Sequence, residues 1–251
     1  MSVIKSILVA IRFLTVLPLP DKGNTGPVEL GRSMAYFPLV GISIGVILAG
    51  IYMVLAKLFS PLLIAVFLVI LWAYFSGALH LEGFVDAVDG FSASKEKEKI
   101  LEIMKDHHCG AKGVIALVFL IILKIALFSE IPDSVRIPAL ILIPAIGRWA
   151  MVCASSLCPY ARKTQGFGKA FVENSGMKEL AIASSILIAA GIILLRVKFV
   201  VLMIPVLIFT VLFFVYVNKK INGVTGDVLG AMNELAEVVS LGAFLLLRQL
   251  K

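Results

Sequence analysis

The chain has 251 residues, of which 60% are hydrophobic and only 16% charged, and its formal net charge is +7. A soluble domain carries about one quarter charged residues, and a globule of this size leaves too much surface exposed to hide so apolar a chain. The composition excludes an ordinary soluble enzyme, and the positive charge suits anionic lipid and phosphorylated small molecules rather than nucleic acid.

Residues 2–17 show helical periodicity, with Val3, Ile4, Ile7, Ile11 and Leu14 on one face and Lys5 and Arg12 to one side. Pro18 and Pro20 end the pattern. Such a segment is expected to lie in the membrane surface, and Arg12 within the apolar run argues against a signal peptide. Apolar spans follow at residues 34–56, 62–79, 113–128, 137–157, 180–195 and 199–217. Gly41, Gly45 and Gly50 in the first of these suit close helix contact. The last apolar segment, 235–247, is short of the roughly 20 residues that cross a bilayer. The expected fold is therefore an all-α integral membrane protein. It is a polytopic bundle of about six to seven transmembrane helices plus an N-terminal interfacial helix, with residues 1–251 forming one membrane domain.

Three charged connections, expected as active-site loops at 80–112, 158–178 and 218–237, follow the second, fourth and sixth spans and so share one side. With the N-terminal segment, that side carries 15 Lys and Arg against six on the other, which places it in the cytoplasm of a multi-pass cell-membrane protein. Cys109, Cys153 and Cys158 are odd in number and loosely spaced, which supports neither a disulfide framework nor a metal site.

The first connection opens with His80-Leu-Glu-Gly-Phe-Val-Asp-Ala-Val-Asp-Gly90. Glu82, Asp86 and Asp89 stand at i, i+4 and i+7, within about 60° of one another on a helix. Like charges on one face, at the mouth of an apolar span, call for a cation. All-oxygen donors suit Mg²⁺, which takes a few carboxylates and completes its shell with water and phosphate. His80 points about 160° away from Glu82 and is not expected to be a ligand. Asp106, after the short helical run 100–104, can add a carboxylate, whereas the adjacent His107 and His108 diverge too far to pair on a metal. A second acidic face begins at Thr225-Gly226-Asp227, which reads as a helix start; Asp227, Gly230, Glu234 and Glu237 fall within about 80°. Arg148 lies inside a span, a functional position by default, and Arg162, Lys163 and Gly166 form a basic loop suited to phosphate. Lys124 is expected to snorkel. Two acidic faces, an intramembrane arginine and a basic loop on one side suit metal-assisted transfer of a phosphoryl-type group.

These residues resemble the cobalamin synthase family, the adenosylcobinamide-GDP ribazoletransferases. His80–Gly90 is similar to its H-x-[DE]-G-x-x-D-x-x-D-G motif, and Glu102-Ile-Met-Lys-Asp-His-His-Cys-Gly110 to its E-I-M-[KR]-D-x-x-x-G element. Arg12-Phe-Leu-Thr15, Gly147-Arg148, Pro159-Tyr-Ala-Arg162 and Thr225-Gly-Asp-Val-Leu-Gly230 with Glu234 and Glu237 extend the likeness over nearly the whole chain. The resemblance implies that a ribose hydroxyl of α-ribazole, or of its 5'-phosphate, attacks the cobinamide-side phosphorus of adenosylcobinamide-GDP. GMP leaves, with Mg²⁺ as cofactor. It implies catalytic roles for Asp86, Asp89, Asp106 and Asp227, metal binding by Glu82, Asp86 and Asp89, and substrate binding by Arg148, Arg162, Glu234 and Glu237. Glu82 stands where Asp is more usual in the pattern. The expected partners are these two small molecules and membrane lipid; a homo-oligomer is compatible with the sequence. A CDP-alcohol phosphotransferase is an alternative, but Phe91-Ser-Ala-Ser94 after Asp89-Gly90 lacks that family's Ala-Arg. A cation-coupled transporter is another, although its ion sites usually lie near the midplane.

Overall fold

The computed structural model describes residues 2–19, 25–106, 108–162 and 167–247. His107, Lys163, Gly166 and Pro20 lie outside them. Among the described residues the regular structure is helical apart from one isolated parallel bridge, Tyr160 to Val224. Leu-, Ile-, Val- and Phe-rich stretches in lipid must satisfy their backbone groups internally, so they form helices.

Helix α1 (Val3–Leu14) has 12 residues, about 18 Å, well short of a bilayer core of about 30 Å. It buries Val9, Ala10 and Leu14 and leaves Val3, Ile4 and Leu8 exposed, as a surface-lying helix should. Helix α2 (Pro27–Ser33) and a 3₁₀ turn (Met34–Tyr36) lead into α3 (Phe37–Leu55). Helix α3 lies along α8 (Asp133–Leu157). A Cβ on Gly41 would fall 2.6 Å from the Ala145 Cα, and one on Gly45 2.5 Å from the Ile141 Cα. Small residues let these backbones touch, as expected for association in lipid. Helix α8 is the bundle's axis. Of its apolar window 83% is buried, against 22% for each of α7 (Ala111–Ser129), α10 (Met177–Leu195) and α11 (Lys198–Ile221), whose outer faces are left to lipid.

Two elements depart from the expected spans. The apolar run at 62–79 is broken: α4 (Pro61–Phe75) ends early and α5 (Leu79–Ala93) turns 90° from it. Ser76 Oγ donates to the carbonyls of Trp72 and Ala73, and Gly77 and Ala78 take positive φ of 61° and 54°, a conformation that ends an α-helix. The stretch 218–237, expected as a loop, is helical except at 222–225. Helix α11 continues to Ile221, and α12 (Gly226–Leu246) is a full-length span of 21 residues. Hydropathy counted Asn233, Glu234 and Glu237 against a span, but all three are buried. The first connection is likewise mostly α5 and α6 (Lys97–Ile103), and the second contains α9 (Phe167–Asn174). Among the described residues six helices are long and apolar enough to cross a membrane, or seven if α4 and α5 form one broken span.

Candidate active site

The two acidic faces meet because α5 and α12 cross through glycines. A Cβ on Gly83 would lie 3.0 Å from the Asp227 carbonyl oxygen, and one on Gly230 3.2 Å from the Gly83 Cα. Thr225 caps α12, its Oγ1 accepting from Val228 N–H at 3.2 Å. Just before it, Val224 N–H donates to Pro159 O (2.8 Å), and Ala161 N–H to Val224 O (2.9 Å). Gly223 allows this pairing: its φ is 144°, and any side chain would strike Pro159 O. The register carries Arg162 to Asp227, with Nη2 donating to Oδ2 at 2.7 Å.

The crossing opens into a cavity of about 580 Å³. Glu82, Asp86, Asp106, Asp227, Lys105 and Arg162 supply its charged wall, and Phe13, Met34, Phe37, Met104, Met151 and Phe171 most of its apolar one. Asp86 is within electrostatic reach of three like charges, on Asp227, Glu82 and Asp89, and of the Arg162 guanidinium. Asp106, at the exposed rim, accepts from His108 N–H at 3.1 Å and lies 2.6 Å from its Nδ1. That hydrogen bond, with the carboxylate's charge, raises the imidazole above its ordinary value. His80 borders the cavity but is buried, and its Nε2 has no partner among the described residues.

Asp89, Arg148, Glu234 and Glu237 do not line this cavity. Asp89 accepts from the N–H groups of Gly110 and Gly113, at 2.8 Å each, and so caps α7 from another helix. An anion there satisfies orphan donors and faces the positive end of the helix dipole. The other three belong to a deeper network. Lys124 Nζ donates to Glu234 and, at 2.6 Å, to Glu237; Arg148 Nη1 donates to Glu237 at 2.7 Å; Asn233 Nδ2 donates to both glutamates. Two cations and two carboxylates thus neutralise one another, as buried charges must. Lys124 does not snorkel: its ammonium turns inward, 5.2 Å from the Trp72 ring centroid. Sequence reasoning missed Lys124 as the partner of Glu234 and Glu237, although a mid-span lysine opposite two mid-span glutamates was the available signal. It also missed the aromatic wall, whose residues come from three separate elements.

Among the described residues no three His, Cys, Asp or Glu side chains converge closely enough to hold an ion by themselves. The acidic donors facing the cavity are hard oxygens from α5, α12 and the turn after α6. Such a set fits a cation that takes one or two carboxylates and fills its shell with water and phosphate oxygens, as Mg²⁺ does.

Comparison with known sequences bears on what this arrangement serves. The family profile described as cobalamin-5-phosphate synthase matches residues 6–245. The chain belongs to the cobalamin-5-phosphate synthase family. The match runs from α1 to the end of α12, so it includes both helices that cross at Gly83 and Gly230. Similar proteins named adenosylcobinamide-GDP ribazoletransferase occur in Thermoanaerobacter sp. (strain X514), 37% identical over 97% of this chain and 98% of the relative. Others occur in Clostridium acetobutylicum, at 35% over 94% and 93%, and Acetivibrio thermocellus, at 33% over 99% and 100%. No solved structure matches the chain, so the cavity geometry of this cobalamin-5-phosphate synthase family member stands on its own residues.

Proposed function

We propose that the chain transfers the adenosylcobinamide-phosphate group of adenosylcobinamide-GDP to α-ribazole or its 5'-phosphate, releasing GMP. The observation that carries this reading is the meeting of Asp86 and Glu82 on α5 with Asp227 on α12, beside Arg162, in one cavity. Relatives named adenosylcobinamide-GDP ribazoletransferase support it. The ribose hydroxyl oxygen bonds to the cobinamide-side phosphorus, the bridging P–O bond breaks, and its electron pair leaves with GMP. The hydroxyl proton passes to a cavity carboxylate.

Asp86, with Glu82 or Asp227 as a second carboxylate, would hold Mg²⁺, which would neutralise pyrophosphate charge when bound. Arg162 is held by Asp227 within reach of the same cavity and offers further donors to phosphate oxygens. Asp106 and Lys105 stand at the rim and orient the entering groups. Asp89 acts on the site by fixing α7 against α5. Arg148, Glu234 and Glu237 act by locking α12, so that Asp227 faces Asp86. Positioning and electrostatic complementarity carry most of such a transfer. The Lys-rich connections at the cavity end support a cytoplasm-facing site. The test is GMP release by membranes containing the protein. Release should require adenosylcobinamide-GDP, α-ribazole and Mg²⁺ together; release without α-ribazole, or none with all three, would defeat the reading.

A further inference from the structure

Among the described residues, Arg162 and Asp227 are the one pairing of a Lys or Arg with a carboxylate in which both members border the cavity. The pairs that Lys124 and Arg148 make with Glu234 and Glu237 are sealed inside the bundle, whereas Arg162 and Asp227 keep 13% and 21% of their side chains exposed. Ala161 N–H is bonded to the Val224 carbonyl, so movement at Arg162 is left to its side chain. That side chain is held at one point by the carboxylate. Nη2 donates to Asp227 Oδ2 at 2.7 Å, and the buried Nε has no partner among the described residues. Its charge acts on Asp86 as well as on Asp227. Two carboxylates on different helices therefore share this one guanidinium.

We infer that Arg162 is an exchangeable counter-ion: a divalent cation entering on Asp227 displaces it, and the displaced guanidinium takes up the pyrophosphate. The inference rests on the proposed transfer reaction. Competition follows from the shared oxygen. Asp227 Oδ2 already accepts from Arg162 and, at 3.2 Å, from Thr225 Oγ1. A cation bound to that carboxylate at about 2 Å meets the like charge of the guanidinium in a partly buried, weakly screened site. One carboxylate cannot serve both at full strength. A pyrophosphate brings the anionic oxygens that the displaced arginine needs, and a planar fork with unused donors suits them. With the backbone at Ala161 still paired, the exchange takes only a side-chain rotation. Metal and pyrophosphate thus favour each other through Arg162, and by linkage the effect is reciprocal.

The test measures Mn²⁺ binding by electron paramagnetic resonance on the detergent-purified protein without nucleotide. It compares wild type, Arg162→Gln, Asp227→Asn and the double variant. Arg162→Gln should bind Mn²⁺ about tenfold more tightly than wild type, the worth of one charge-assisted hydrogen bond. Asp227→Asn should bind it more weakly. Adding Arg162→Gln to that variant should gain less than about threefold, because the contested carboxylate is gone. An equal gain in both backgrounds would reduce Arg162 to a distant field and overturn the exchange. So would unchanged or weaker binding by Arg162→Gln, or wild-type binding by Asp227→Asn. In steady-state GMP release, Arg162→Gln should raise the KM for adenosylcobinamide-GDP about tenfold and leave that for α-ribazole within about twofold. An unchanged KM for adenosylcobinamide-GDP would also overturn the exchange. Tighter metal with a weaker pyrophosphate substrate is the signature, since a purely structural residue would loosen both. Arg162→Met, which keeps the side chain's length without its charge, makes the same test if Arg162→Gln fails to fold. If no GMP forms yet the Mn²⁺ pattern holds, the counter-ion stands and the reaction falls. GMP release by a protein whose Mn²⁺ affinity does not respond to Arg162→Gln keeps the reaction and sinks the exchange.

Discussion

Asp86 and Asp89 lie three residues apart on one helix, yet they meet opposite surroundings. Asp86 faces like charges across the cavity, whereas both Asp89 oxygens accept backbone N–H groups at the start of α7. Neutralising each therefore acts differently. Asp89→Asn places an amide against N–H donors and should lower stability by about 1–3 kcal/mol. Asp86→Asn removes repulsion and should leave the unfolding temperature in detergent unchanged or higher. Thermal unfolding of the two variants checks the contrast, and equal losses would contradict it. At the rim, the Asp106 carboxylate raises the His108 pKa. Stability from that pair is present below the unfolded-state pKa of about 6.5 and fades as pH rises through the higher folded value. An NMR titration should place His108 above that reference, and Asp106→Asn should return it there. The i, i+4, i+7 spacing made the shared face of Glu82, Asp86 and Asp89 legible. It did not reveal that Asp89 is claimed by amides 21 and 24 residues away, because a long-range cap leaves no local pattern.

The same limit acts on elements. The start of α12 was legible from Thr225-Gly226-Asp227, but its length was not. Hydropathy penalises Glu234 and Glu237 as if each stood alone, although Lys124 on α7 and Arg148 on α8 neutralise them. Glu237→Gln leaves two buried cations with one carboxylate and should cost about 3–5 kcal/mol. Adding Lys124→Met restores the balance and should recover part of that loss, which denaturant unfolding of the single and double variants measures. The motif glycines also act between elements. Gly83→Ala places its Cβ 3.0 Å from the Asp227 carbonyl oxygen, pushes α5 from α12 and should cost about 1–3 kcal/mol. Gly50 meets nothing within 4 Å, so Gly50→Ala should be neutral or stabilise by about 0.5–1 kcal/mol. Equal effects at both sites would argue against the crossing.

For the whole molecule, composition was enough to set the class, since no soluble fold accommodates 60% hydrophobic residues in 251. The order of charged connections was enough to bring them to one end. How that end closes was not legible, because it depends on contacts between distant segments. A pairing of 159–161 with 224 carries Arg162 to Asp227, and the α4–α5 break swings the first acidic face across the bundle to meet the second. The central claim is that Asp86 and Asp227, 141 residues apart in the chain, work as one site. GMP release by Asp86→Asn, Asp227→Asn and the double variant tests it most directly. Each single change should lower the rate by about 10²–10³-fold, and the double should be little worse than the more damaged single, as residues acting as a unit are non-additive. Independent, multiplying losses, or a single variant with full activity, would contradict the account.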